Sequence, residues 1–262
     1  YNAGPHLRNF SPKDGAMQRY LYLLSVALFK NVIAGAMGPV TAPNSWSSFI
    51  TVSAAPGFVE QGNAQILTLL PPFQNYYTLN SDWRSFMDLG VFLGLESLVL
   101  KCSRAQIGLS GYLATSSKVN GHVWQFASPE FDNFSYSYRI SHKRIMASTK
   151  LYLTQYNSLL PYFSGEIGVA FNRSYSYQEI PLIPEVVSMV PFNSHSVTSF
   201  AWSIGLGVDY PINQKVRIGA GYLFSNLGKS SLGTTPAQVT EENLQISHRY
   251  ANQVRFQLTY LV

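Results

Sequence analysis

In FAWSIGLGVDYPINQKVRIGAGYLF, residues 200–224, bulky apolar side chains fall on every second position of two segments flanking Pro211-Ile212-Asn213-Gln214. Phe200, Trp202, Ile204, Leu206, Val208 and Tyr210 share one parity, and Val216, Ile218, Ala220, Tyr222 and Phe224 share the next. Glycine, serine and a few charges occupy the positions between. A period of two is the signature of a β-strand with unlike faces. The two segments therefore predict a hairpin with one face continuously apolar and the other small or polar.

The same alternation recurs along the chain. It predicts strands near Trp46–Ala54, over MDLGVFLGLE, AQIGLSGYL and FSYSYRISHKRIMASTKLYL, around Phe163–Phe171, and over QVRFQLTYLV. With the two opening segments these make eight. In the fourth, Ile145, Ala147, Leu151 and Leu153 lie on one parity, whereas Tyr136, Tyr138 and Ile140 lie on the other, which predicts a bulge near Ser141–Arg144. Connectors alternate in length: those near Ser97–Leu100, Tyr156–Pro161 and Pro211–Lys215 are short, and those at 59–82, 118–133, 173–195 and 226–243 are long. An even strand count with short turns at one end and long loops at the other predicts an all-β, eight-stranded antiparallel up-and-down barrel.

Segments of 9 to 11 alternating residues are long enough to cross a bilayer, and lipid accepts a sheet only when it closes on itself. The apolar parity is then the outer face. It includes Leu89, Val91, Leu93, Ile107, Leu109, Ile167, Val169, Trp202, Ile204, Leu206, Ile218, Phe256 and Leu258, all expected to face lipid. The opposite parity carries Asp88, Glu96, Lys150, Glu166, Asp209, Arg217 and Arg255 among many glycines. Mixed charges in a narrow lumen predict ion pairs bridging it, because an unpaired buried charge costs several kcal/mol.

Composition agrees with a chain that needs little charged surface. Only 12% of its 262 residues are charged and 14% are aromatic. The formal charge of +5 is not a nucleic-acid signal: residues 1–36 hold four basic residues against Asp14, and the remainder carries only +2. From Met17 the chain reads MQRYLYLLSVALFKNVIAGAMGPV, with Arg19 before an apolar run and Ala34-Gly35-Ala36 after it. This predicts a signal peptide over 17–36 and export. Residues 1–16 are read as an extension outside the natural frame, 37–44 as a short N-terminal segment, and 45–262 as the barrel.

The inward-glycine strands SIGLGVDY, VRIGAGYLF and EIGVAF, the turn YPINQKV and the alternating C-terminal run together resemble the OmpA-like and opacity-type eight-stranded outer-membrane barrels of Gram-negative bacteria. The resemblance covers about Ser45–Val262 and implies outer-membrane residence among lipid and lipopolysaccharide, a monomer, and a structural or adhesion-type role. A lipocalin-like soluble barrel is the rival fold, with the faces inverted. It would leave an exterior of mostly Gly, Ser and Ala with few charges, unlike a soluble surface.

Chemistry is not expected. Ser247-His248 and Ser141-His142 supply a nucleophile and a base in name, but neighbours on a strand point to opposite faces. No lipid-modifying enzyme is therefore predicted and no catalytic residue assigned. The five histidines and single Cys102 show no ligand spacing, so neither metal nor cofactor is expected. A small porin is the transport alternative, yet eight strands leave room only for side chains. Specificity is left to the loops. IPLIPEVVSMVPF places Ile180, Leu182, Ile183, Val186, Val187, Met189, Val190 and Phe192 in one connector, which is expected either to fold over the barrel mouth or touch lipid headgroups, or to meet a host or envelope partner.

Overall fold

The structure is a computed structural model that describes residues 46–262 except 70, 81, 82, 101, 102, 189–191, 236–239 and 241. The leader at 17–36, the extension at 1–16, the segment 37–44, Cys102, Met189 and Val190 therefore lie outside the described residues. In chain order the strands are β1 (Ser47–Glu60), β2 (Gln65–Thr68), β3 (Gln74–Tyr77), β4 (Trp83–Leu100), β5 (Ser103–Ala114), β6 (Ser117–Gln125), β7 (Asp132–Tyr152), β8 (Leu160–Pro181), β9 (His195–Pro211), β10 (Val216–Asn226), β11 (Ser230–Ser231), β12 (Gln245–Ile246) and β13 (Tyr250–Leu261).

Eight of these close a ring. Pairing runs β1–β4–β5–β7–β8–β9–β10–β13 and returns to β1, antiparallel at every step. The last strand seals the cylinder against the first, with Ile50 opposite Tyr260 and Val52 opposite Leu258. Closure leaves no free edge in the ring, so its backbone amides are satisfied without solvent. Outward positions are the apolar ones: Leu89, Val91, Leu93, Ile107, Leu109, Ile167, Val169, Ile204, Leu206, Ile218, Phe256 and Leu258 are all exposed. Trp202 shares that face and is half-buried because it packs on Phe224, ring centroids 5.8 Å apart. An all-round apolar exterior over a charged interior is the surface of a membrane-spanning barrel.

Inward glycines make room for large rings. Gly207 and Gly221 are register partners, and a Cβ on either would strike the Tyr162 hydroxyl and the partner strand's backbone. A Cβ on Gly90 would enter the Tyr112 ring. At eight strands the lumen is just wide enough to be filled, so these two rings occupy the space that the glycines leave.

The long connectors differ from the sequence reading. Positions 118–133 are not a loop: β6 runs on beyond β5 along the same edge of β7 after a break at Thr115–Ser116, and a turn at 126–131 joins it to β7. The segment 59–82 contains the β2–β3 hairpin, whose β3 adds to β6. β8 continues to Pro181, so Ile180 belongs to a strand. These extensions form a sheet ordered β2-β3-β6-β7-β8 above the ring, and the β11–β12 hairpin of the last connector is a separate two-stranded ladder. Together they make a cap with its own core: Leu67, Tyr77, Val119, Val123, Phe134, Tyr136, Tyr138, Ile140, Phe192, Leu232, Leu244 and Ile246 are buried as one cluster.

The bulge expected near Ser141–Arg144 is absent. From Phe134 to Tyr152 the even-numbered residues of β7 stay buried without interruption, and its partners from Ser141 to Tyr152 remain in unbroken register. The apolar set changes parity because the surroundings change, not the backbone. Above the ring, the inward side faces the cap core. The register does shift higher up, between Ser137 and Arg139, where β8 carries the extra residue and Ser176 has φ of 55°.

Candidate functional site

The strand alternation puts one charged layer after another into the lumen. At the turn end, Arg217 makes a bidentate pair with Glu96, at 2.7 and 2.8 Å, and Gln106 donates to the same carboxylate at 2.8 Å. Lys150 Nζ lies 3.4 Å from Asp209, which also accepts from the Tyr152 hydroxyl at 2.6 Å and from Gln257 at 2.5 Å. Midway, Arg255 meets Glu166 at 2.8 Å and the Tyr112 hydroxyl donates to the same oxygen at 2.9 Å. Higher still, Arg144 pairs with Asp88, to which Gln253 donates at 3.2 Å. None of these pairs joins neighbouring strands: Lys150–Asp209 and Arg144–Asp88 span one intervening strand, and Arg217–Glu96 and Arg255–Glu166 span two.

Arg144 is the member that sequence reasoning missed. Its parity matches Ser148 and Lys150, so an uninterrupted reading of β7 would have placed it in the lumen. Arg249 was also missed, and it carries no strand signal because it lies in the bend before β13. Its guanidinium donates to Glu60 O at 3.0 Å, Ser117 Oγ at 3.1 Å and His142 Nε2 at 2.6 Å. With Nε2 accepting, the network assigns the ring proton to Nδ1, which donates to Asn172 Oδ1 at 2.7 Å. Asn172 in turn donates to the carbonyls of Leu227 and Lys229, at 2.8 and 2.7 Å. This chain of bonds holds both ends of the last connector across the barrel mouth. Arg144, Lys150, Tyr152 and Met146 are fully buried below it and fill the lumen at their levels.

The fold separates one of the two nominal catalytic pairs. Ser141 points to the outer face of β7 and His142 into the lumen. Ser247 and His248 lie outside β12 and β13, so strand alternation, the reason given for their separation, does not apply to them. Both are exposed in a cleft of about 610 Å³ shared with Glu60, Asn63, Glu242 and Tyr250. His248 stacks on Tyr250 at 6.3 Å, and no hydrogen bond joins it to Ser247. Among the described residues no three His, Cys, Asp or Glu side chains converge as a metal site.

The expected interaction connector divides in two. Ile180, Leu182, Ile183 and Val187 are exposed at the tip. Val186 packs partly against the cap core, and Phe192 is buried in it, stacked edge-on to Tyr177 at 5.0 Å. Phe192 is thus a structural anchor and offers nothing to a partner. Beneath the tip, Glu179 accepts from Tyr177 at 3.0 Å and from Ser188. Burial raises the Glu179 pKa above the ordinary carboxylate value against these two bonds, and burial likewise raises the Tyr77 and Tyr177 phenols.

No family model and no curated protein sequence matches the chain. Solved structures similar to it include neisserial surface protein A, 10% identical over 82% of this chain and 98% of that one, TM-score 0.44. The outer-membrane protein OprG of Pseudomonas aeruginosa is 13% identical over 82% and 96%, TM-score 0.46. The attachment invasion locus protein Ail of Yersinia pestis, solved with the heparin analogue sucrose octasulfate, is 11% identical over 83% and 99%, TM-score 0.34. These likenesses are too distant to carry any argument about activity. The closed ring itself carries the fold.

Proposed function

We propose that the chain is an integral outer-membrane barrel, exported by its leader, that supports the envelope and presents an interaction surface at its long-loop end without catalysis. One observation carries this reading: a continuous apolar belt surrounds a lumen filled by ion pairs and closed by Arg249, so the ring offers lipid an exterior and solutes no route. A soluble ligand carrier would need the reverse arrangement. The tip residues Leu182, Ile183 and Val187, together with Ile180, are the surface assigned to a host or envelope partner.

Membrane residence is tested by fractionation and by heating a detergent-solubilised sample before electrophoresis. A band that requires detergent and changes mobility on heating is expected, whereas solubility without detergent removes the proposal. Planar-bilayer recordings should show no large, stable openings. Binding to host cells should fall when Leu182, Ile183 and Val187 are all replaced by serine; unchanged binding removes the tip from the account.

A further inference from the structure

Just above the apolar belt, the outer face of β6, β7 and β8 gathers four exposed basic side chains: Lys118, Arg139, Lys143 and Arg173. Their arrangement follows from register. Lys118 stands directly opposite Arg139. Arg173 stands opposite Ser141, which places it diagonally between Arg139 and Lys143, two residues to either side. Like charges directly across a strand pair repel, and diagonal neighbours about 7 to 8 Å apart are within reach of long side chains. Among the described residues none of the four meets a carboxylate within 4 Å, whereas Arg144, Lys150, Arg217 and Arg255 in the lumen each do. Outward positions on the flanking strands supply none either, being Leu113 on β5 and Ser196 and Thr198 on β9.

Two further observations say what would offset this repulsion. The patch begins where the belt stops: Lys143 pairs with Phe171, Arg173 takes the next outward position of β8, and one step below Phe171 Ile145 pairs with Val169. In a spanning barrel with its long connectors outside, that is the headgroup level of the outer leaflet. A hollow of about 340 Å³ also lies among Lys118, Ser137, Arg139, Tyr175, Ser176 and Gln178. Guanidinium, ammonium, hydroxyl and amide donors around one recess match the acceptor oxygens of a phosphate.

The geometry points to a binding site for the phosphorylated headgroup of an outer-leaflet glycolipid, its phosphates held by Lys118, Arg139, Lys143 and Arg173 while its acyl chains lie along the belt at Ile145, Val169 and Phe171. The inference rests on the membrane reading above and deepens its lipid partner. Loss of charge-assisted hydrogen bonds of this kind is expected to lower affinity about tenfold.

The test uses the whole chain folded into phosphatidylcholine nanodiscs doped with either diphosphorylated lipid A or its dephosphorylated form, with retained lipid counted by native mass spectrometry. The wild type should retain the phosphorylated form about tenfold better. K118Q/R139Q and, independently, K143Q/R173Q should lose that preference, whereas K215Q, at the opposite end, should keep it. Equal retention of the two lipids, or a preference that survives both double variants, overturns the site. So does saturation by millimolar inorganic phosphate, which would make a free anion the ligand, or tighter binding of heparin through the same residues, which would make it a polysulfated glycan site. Heat-dependent mobility of each variant is recorded first: a chain that never inserts refutes the membrane reading, and an inserted barrel without phosphate preference refutes this inference alone.

Discussion

The lumen and the cap above it are both lined by even-numbered side chains of β7, but the chemistry of those side chains reverses along the strand. Below, Lys150, Ser148, Arg144 and His142 face inward among carboxylates and amides. Above, Ile140, Tyr138, Tyr136 and Phe134 face inward among aliphatic and aromatic neighbours. The outer side reverses too, from Leu151 and Ile145 to Lys143 and Arg139. β7 keeps its alternation across the boundary; what changes is the solvent around it. Where lipid surrounds the ring, apolar groups belong outside and polarity is confined to the interior. Where water surrounds the cap, burial of apolar surface drives packing in the ordinary sense.

The largest expected effect tests the polar interior. Arg217→Met should destabilise the barrel by about 3 to 5 kcal/mol by leaving Glu96 buried without its bidentate partner. Adding Glu96→Gln should recover most of the loss, and a double-mutant cycle on the heat-modified band reads both. Failure of the second substitution to rescue the first would mean that the lumen charges are not a paired set.

On the outer face, Leu206→Arg in the middle of the belt should cost about 2 to 4 kcal/mol, and Thr198→Arg, two strand steps beyond Trp202, about 0 to 1. Unfolding from lipid vesicles measures the pair, and equal costs would remove the solvent boundary. A smaller change separates the two interiors directly. Ile140→Val should cost the cap about 1 kcal/mol. Hydrogen exchange should rise at cap amides and stay unchanged in the ring; a uniform rise would make the two one cooperative unit.

The smallest effect is a pH dependence of the tip. Burial raises the Glu179 pKa, so the folded tip binds its proton more tightly than the unfolded chain does. Its contribution is present in full below the ordinary carboxylate value and is lost as pH rises through the raised one. Protease sensitivity of the tip should therefore increase across that interval in the wild type and stay flat in Glu179→Gln. A parallel rise in both would assign it to another group.

The two opening segments at 200–224 were legible because a lipid-facing strand writes its orientation residue by residue, and β9 and β10 pair in the register that their short turn dictates, Ile218 opposite Tyr210. The upper half of β7 was misread for the same reason: its apolar parity was taken for the outer face where the outer face had become polar. Arg249 left no periodic trace at all, since its partners Glu60, Ser117 and His142 come from three separate parts of the chain.

By itself the sequence determined the eight strands of the ring, the face that each turns outward there, and the charges assigned to the lumen, because side-chain alternation is a local property of extended backbone. Tertiary structure decided which cation meets which anion across the ring, that the long connectors rise as strands into a cap, and that Phe192 is an anchor rather than a contact. Those outcomes depend on strand stagger and on contacts between residues far apart in the chain, from 56 positions for Arg144 with Asp88 to 121 for Arg217 with Glu96, which no local pattern encodes.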